Sequence, residues 1–162
     1  MNNPIYLMLI GVPGSGKSTY IKNKLANTTN TVVASTDAHI EQAAAKAGTT
    51  YDAIFSRAIG AATKAMKADI RAAIENGQNI IHDQTNITAN ARAGKLSIIP
   101  DNYRKIAIFF HTPDSDELQK RLNQRVGKTI PTHVITDMIN SLEMPTKSEG
   151  FDEIIDVEQV NT

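Results

Sequence analysis

An α/β fold, with a parallel five-stranded sheet covered by helices on both faces, is predicted by three observations. Short apolar or β-branched runs alternate with helical periodicities along the chain, an order that implies parallel strands joined by crossover helices. The first apolar run, Ile5-Tyr6-Leu7-Met8-Leu9-Ile10, passes directly into Gly11-Val12-Pro13-Gly14-Ser15-Gly16-Lys17-Ser18, the spacing G-x-x-x-x-G-K-[ST]. The chain has 162 residues, 41% hydrophobic and 21% charged, which suits one domain over 1–162 with a core of its own.

The elements follow in order. After the first strand and its glycine-rich turn, 19–26 reads as a helix ended by Asn27-Thr28-Thr29-Asn30. The β-branched run 31–35 is the second strand. A helix over 38–47 closes at Gly48. The clearest helix comes next: Tyr51, Ile54, Phe55, Ala58, Ile59, Ala62, Met66, Ile70, Ala73 and Ile74 share an apolar stripe from which Arg57, Lys64, Lys67 and Arg71 stand apart. Thr50 caps its start and Gly77 its end. A third strand over 79–82, a helix over 88–97 and a fourth strand over 104–110 follow. Asp114 or Ser115 opens a helix running through Arg121; another spans 131–142, with Pro131 in its first turn and Pro145 stopping it. Residues 152–157 alternate polar and apolar, as an edge strand does.

Composition narrows the function classes. No apolar run approaches the roughly 18 residues of a membrane span, and Met1-Asn2-Asn3-Pro4 lacks the basic start of a signal peptide, so the expected location is cytoplasmic, with no membrane partner. The absence of cysteine excludes disulfides, thiolate metal sites and thiol nucleophiles. Seventeen basic residues balance seventeen acidic ones, which argues against a duplex-coating protein while leaving room for a cleft that holds one strand end.

The glycine-rich turn carries the most specific chemistry. Its backbone N–H groups face inward at a helix N-terminus and form an anion nest. Lys17 is placed to reach the β- and γ-phosphates of a nucleoside triphosphate, and the Ser18 hydroxyl to ligate Mg²⁺. The expected nucleotide-binding set is Gly11, Pro13, Gly14, Ser15, Gly16, Lys17, Ser18 and Thr19, with ATP and Mg²⁺ as cofactors. Ligands of such sheets bind beyond the carboxyl ends of the strands, which brings Asp37 and Asp83 to the same rim. Asp37 there either orients an acceptor hydroxyl and takes its proton or caps the helix that begins at Ala38. Asp83 ends an apolar strand, either as a metal-supporting carboxylate with Ser18 or as a turn residue. Thr85 and Asn86 are turn formers, and His39 reads as a solvated helix residue. Lys120, Arg121, Arg125 and Lys128 form a basic stretch around Gly127, read as a lid over about 120–132 in which a helix gives way to a mobile loop. Arg125 is the residue expected to stabilise the transferring phosphoryl group; Arg121, four residues earlier, shares its face on a continuous helix.

At these residues the chain resembles the kinase domain of the polynucleotide 5′-hydroxyl kinases, within the wider group that includes zeta-toxin-like and phage-type kinases. The segments that carry the resemblance are the glycine-rich loop 11–18, Asp37, Asp83-Gln84-Thr85-Asn86 with Arg92 (similar to the family's D-x-T-N…R), the lid with Arg125, and Glu143-Met144-Pro145-Thr146 with Glu149-Gly150-Phe151 (similar to A-P-T-x-x-E-G-F). The resemblance implies a three-layer P-loop kinase fold with a helical lid. It also implies an Asp37 that activates the acceptor hydroxyl, an Arg125 that contacts ATP phosphates, and a role in DNA modification or repair. The chain departs from the pattern with Thr36 where members often have arginine, and with Ile40 where phage-type members carry an arginine for the acceptor's phosphate. No phosphatase domain is expected within these 162 residues. The acceptor stays open between the 5′-hydroxyl of a DNA or RNA end and another hydroxyl (a hydroxymethyl-pyrimidine in DNA, a nucleoside or a sugar nucleotide). A non-transferring ATP-binding switch is the third reading.

Overall fold

The computed structural model describes residues 2–158; Met1 and residues 159–162, and with them both ends of the expected 1–162 domain, lie outside the described residues. Five parallel strands, β1 (Ile5–Ile10), β2 (Thr31–Ala34), β3 (Asn79–Asp83), β4 (Arg104–Phe110) and β5 (Glu153–Val157), form one sheet in the order β2-β3-β1-β4-β5. The glycine-rich turn therefore leaves the central strand, and β3 delivers Asp83 beside Leu9 of β1.

Strand alternation decides which helix covers which face. Tyr6, Met8 and Ile10 of β1 point to one side, where they pack with Met66, Ile70 and Ala73 of α3 (Tyr51–Glu75) and with Leu96 of α4 (Ala89–Leu96). Leu9, Ile81, Ile108 and Phe110 point to the other, where Tyr20, Ile21 and Leu25 cover them. The N-terminal half of α3 runs past the sheet and packs on α2 (Thr36–Lys46) through Ile54 and Ala62 against Ile40 and Ala44. The helices α5 (Ser115–Asn123) and α6 (Thr132–Ser141) pack Leu118 and Ile135 around Val12 of the glycine-rich turn.

The boundaries depart from the sequence reading at three informative places. The first helix, α1 (Lys17–Tyr20), starts two residues before the expected Thr19 because Gly16, at φ 101°, supplies a left-handed cap, and it continues as a π-helical turn over Ile21–Leu25. The second departure is at α2, which opens at Thr36 with Ser35 as its cap: the Ser35 Oγ accepts from Ala38 N at 3.2 Å. Third, α6 ends at Ser141, ahead of Pro145, and a 3₁₀ turn over Lys147–Glu149 follows, held by a capping box between Thr146 and Glu149.

Candidate active site

The glycine-rich turn is built as an open cradle. Gly14 (φ 83°) and Gly16 (φ 101°) adopt left-handed backbone that other residues rarely take, and a Cβ on Gly14 would come within 2.9 Å of Leu118 Cδ1. Gly11 N donates to Thr85 O at 2.9 Å, tying the turn to the segment after β3. Lys17 folds over the turn, its Nζ donating to Gly11 O (2.8 Å) and Val12 O (3.0 Å). Burial, opposed by the Asp83 charge, lowers its ammonium to about 8.

This cradle forms one wall of a cavity of about 1570 Å³ that also receives Asp37, Glu41, Tyr51, Asp83, Arg121, Arg125 and Lys128. Asp37 is not the helix cap. With Ser35 in that role, the Asp37 carboxylate is left to face the cavity, accepting from Tyr51 OH at 2.7 Å on Oδ1 and from Lys128 Nζ at 2.8 Å on Oδ2. Burial works to raise its pKa, but those two hydrogen bonds and the nearby cations hold it below the ordinary carboxylate value. Asp83 shifts the other way: burial raises it, and the charge of Lys17 only partly opposes this. The two acids of one rim thus face opposite environments.

Lys128 bridges Asp37 and Glu41 (Nζ–Oε1 3.1 Å) while lying over the Tyr51 ring at 4.5 Å from its centroid. Its loop is fastened across the cavity to the start of α3: Asp52 N donates to Gly127 O, and the Asp52 carboxylate accepts from Thr129 N, all at 2.9 Å. Residues 124–131 are not helical, so Arg121 on α5 and Arg125 beyond its Gln124 cap do not share a helix face. Arg121 instead binds Glu117 (Nε–Oε1 2.8 Å) and donates to Gly14 O at 3.2 Å, docking α5 on the cradle. Arg125 lines the cavity, and its charge bears on both Lys17 and Asp37.

Behind the rim, Tyr6 OH meets His82 Nδ1 (2.7 Å), His82 Nε2 meets Gln84 Oε1 (3.0 Å), and Gln84 Nε2 donates to Thr36 Oγ1 (2.9 Å). Gln84 uses its amide to donate, so its oxygen must accept. That assigns the proton of His82 to Nε2 and makes Tyr6 the donor to Nδ1. Burial lowers His82 to about 4, so the relay is neutral and fixes the first turn of α2 beside Asp37. His39, expected to be solvated, pairs with Asp69 at 2.6 Å instead.

Of the D-x-T-N…R segment, Asp83 lines the cavity, whereas Asn86 and Arg92 serve the scaffold. Asn86, buried at φ 50°, donates to Leu9 O at 2.8 Å just ahead of the cradle. Fully buried Arg92 holds Asn86 O and Glu143 O (3.0 Å each) and grips Glu149 with Nε (2.7 Å) and Nη2 (3.0 Å). Tyr51 and Lys128 as partners of Asp37, and Gln84 behind them, were missed by sequence reasoning; the only signal for Lys128 was its place in the basic lid.

Residues 7–145 match the protein family described as AAA domain. Among solved structures, a chain of the Pnkp1/Rnl/Hen1 RNA repair complex is 25% identical at a TM-score of 0.68; the match covers 88% of the present chain and 45% of that one. The present chain thus spans less than half of that relative. Gluconokinase from Sinorhizobium meliloti 1021 (18% identity, TM-score 0.55, 100% and 86% covered) and shikimate kinase from Acinetobacter baumannii (17%, 0.53, 98% and 87%) share the fold. Among the described residues, no helix is long and apolar enough to cross a membrane.

Proposed function

The chain belongs to the AAA domain family, and from that premise we propose that it transfers the γ-phosphoryl group of ATP to a hydroxyl, the 5′-hydroxyl of a DNA or RNA end. The carrying observation is that the Asp37 carboxylate opens into the same cavity as the phosphate cradle and Lys17. The similarity to a chain of an RNA repair complex supports a nucleic-acid acceptor.

In this reading the N–H groups of 13–19 and Lys17 hold the triphosphate. Ser18 and Asp83 would hold Mg²⁺: a buried carboxylate whose ionised form lacks solvent favours a hard cation, and Mg²⁺ with phosphates and waters needs few protein oxygens. Bound there, the ion would neutralise charge on the phosphate oxygens. Asp37 accepts the proton of the attacking hydroxyl as its oxygen bonds to the γ-phosphorus and ADP leaves. Tyr51 keeps the carboxylate oriented, while Lys128, carried by the lid, yields its place to the acceptor. Arg125 and Arg121 supply positive charge as the phosphoryl group moves.

One observation favours a second reading, transfer to a nucleoside or to a hydroxymethyl-pyrimidine in DNA. Ile40 is fully buried between α2 and α3, so this position offers no cation to an acceptor phosphate. The test offers labelled ATP to 5′-hydroxyl DNA and RNA oligonucleotides, hydroxymethyl-pyrimidine DNA, nucleosides and gluconate. Label on the 5′-hydroxyl ends, lost by roughly 10²–10⁴-fold in Asp37→Asn with ATP affinity kept, is the expected result. Equal turnover in wild type and Asp37→Asn removes the proposed base.

A further inference from the structure

Phe55 is an aromatic ring that the fold does not use. It is 42% exposed although it sits on a helix whose other large apolar residues are buried or half-buried, and it is absent from the packed α2–α3 cluster. Tyr51, Phe55, Ile59 and Thr63, each four residues apart on α3, line the cavity that holds Asp37, so they form one stripe facing it. Tyr51 connects this stripe to the chemistry. Its hydroxyl donates to Asp37 at 2.7 Å, and its ring lies 5.5 Å from that of Phe55. The open ring is therefore one side chain away from the proposed base.

The charges around this stripe restrict what it can hold. Asp52 of the same helix lines the cavity with its carboxylate held by Thr129 N, whereas Arg57, Lys64 and Lys67 do not line it. Ile40 of α2 is buried. Lys128 faces this end, and it is engaged by Asp37 and Glu41. A sugar acid or polyol would bring many polar groups to an aromatic and aliphatic wall with few partners for them. A nucleobase brings a flat apolar face, which an exposed aromatic side chain binds by stacking whatever the base.

We infer that Phe55 is the acceptor's specificity residue: the base adjoining the reacting hydroxyl stacks on Phe55, with Tyr51 setting the edge of the platform next to Asp37. The inference rests on the proposed transfer to a nucleic-acid hydroxyl and adds to it the source of acceptor affinity, a ring stack in place of a cation–phosphate contact at Ile40.

The test uses a 5′-hydroxyl dinucleotide with 2-aminopurine as its first base, in two assays. Quenching of the 2-aminopurine fluorescence in the presence of ADP reads binding, and transfer from labelled ATP reads catalysis. Phe55→Ala and Phe55→Leu should raise the acceptor Kd and KM roughly 5- to 150-fold, the loss of one base–aromatic stack. Turnover at saturating acceptor and the KM for ATP should stay within about twofold, and Phe55→Trp should restore both affinity and quenching. Leucine matching phenylalanine would overturn stacking. Wild-type transfer to the dinucleotide with all three variants unchanged would overturn the inference and leave the proposed function standing. Neither quenching nor transfer in wild type would overturn both.

Discussion

Glu149→Ala tests how the two most selective motifs of the chain are joined. The Arg92 side chain is 0% exposed and that of Glu149 13%, and the pair is bidentate at 2.7 and 3.0 Å. Removing the carboxylate leaves a guanidinium in the interior with, among the described residues, the Asn86 and Glu143 carbonyls as its remaining partners. Breaking one side of a buried pair destabilises by about 3–5 kcal/mol, and a chain of this length loses about 2–4 °C of Tm per kcal/mol, so a drop of roughly 6–20 °C is expected. Thermal unfolding followed by circular dichroism measures the drop, and in urea the same loss lies in the midpoint and not in the slope. The pH dependence gives an independent check. The Arg92 hydrogen bond, against some burial, holds the Glu149 carboxyl below its ordinary value. Its stabilisation is thus complete above the unfolded carboxyl's pKa and fades as pH falls through the folded one. The gap between wild type and Glu149→Gln should therefore be present at pH 7 and close in acid. Arg92→Met with Glu149→Leu should be more stable than either single change, since no charge is then stranded. A Glu149→Ala protein within about 1 kcal/mol of wild type would refute the clamp.

Two further outcomes concern the rim. Lys17, lowered to about 8 chiefly by burial, loses its proton as pH rises through that value, so ATP affinity should decline from about pH 8 upward; a flat titration curve to pH 9.5 would contradict this. Lys128→Met removes a hydrogen bond that depresses Asp37 in the free enzyme, so the acid limb of kcat/KM should move to higher pH; an unmoved limb would mean that Asp37 is not the titrating base.

The strands and the cradle were legible because each is specified locally. Residues 5–10 and 106–110 are continuous apolar runs of the kind that parallel sheets bury on both faces, and the observed bounds of β1 and β4 coincide with the expected ones. The capping of α2 was not legible. Ser35 and Asp37 are both competent caps, and the choice between them turns on where β2 stops, at Ala34. Tyr51 fits the apolar stripe of α3 by its Cβ position, and only the far end of the side chain reveals another use. Lys128 meets Asp37 across 91 residues of sequence, a pairing that no local pattern encodes.

The location of the selective motifs limits what they can tell about the substrate. Arg92, from the D-x-T-N…R segment, closes on Glu149, from the E-G-F segment, and through Asn86 both support the end of β1 at Leu9. The ion pair joins two segments 57 residues apart in sequence and satisfies the charge of each. It builds a scaffold under the phosphate cradle, a role independent of which hydroxyl arrives. In the proposed transfer the residues that would face the acceptor hydroxyl are Asp37, Tyr51, Phe55 and Lys128, which line the cavity and lie outside those segments. Likeness in the motifs therefore bears on the cradle they support, whereas the acceptor has to be read from α3 and the loop that carries Lys128. There an open phenylalanine and a buried Ile40 favour a base over a phosphate as the feature recognised.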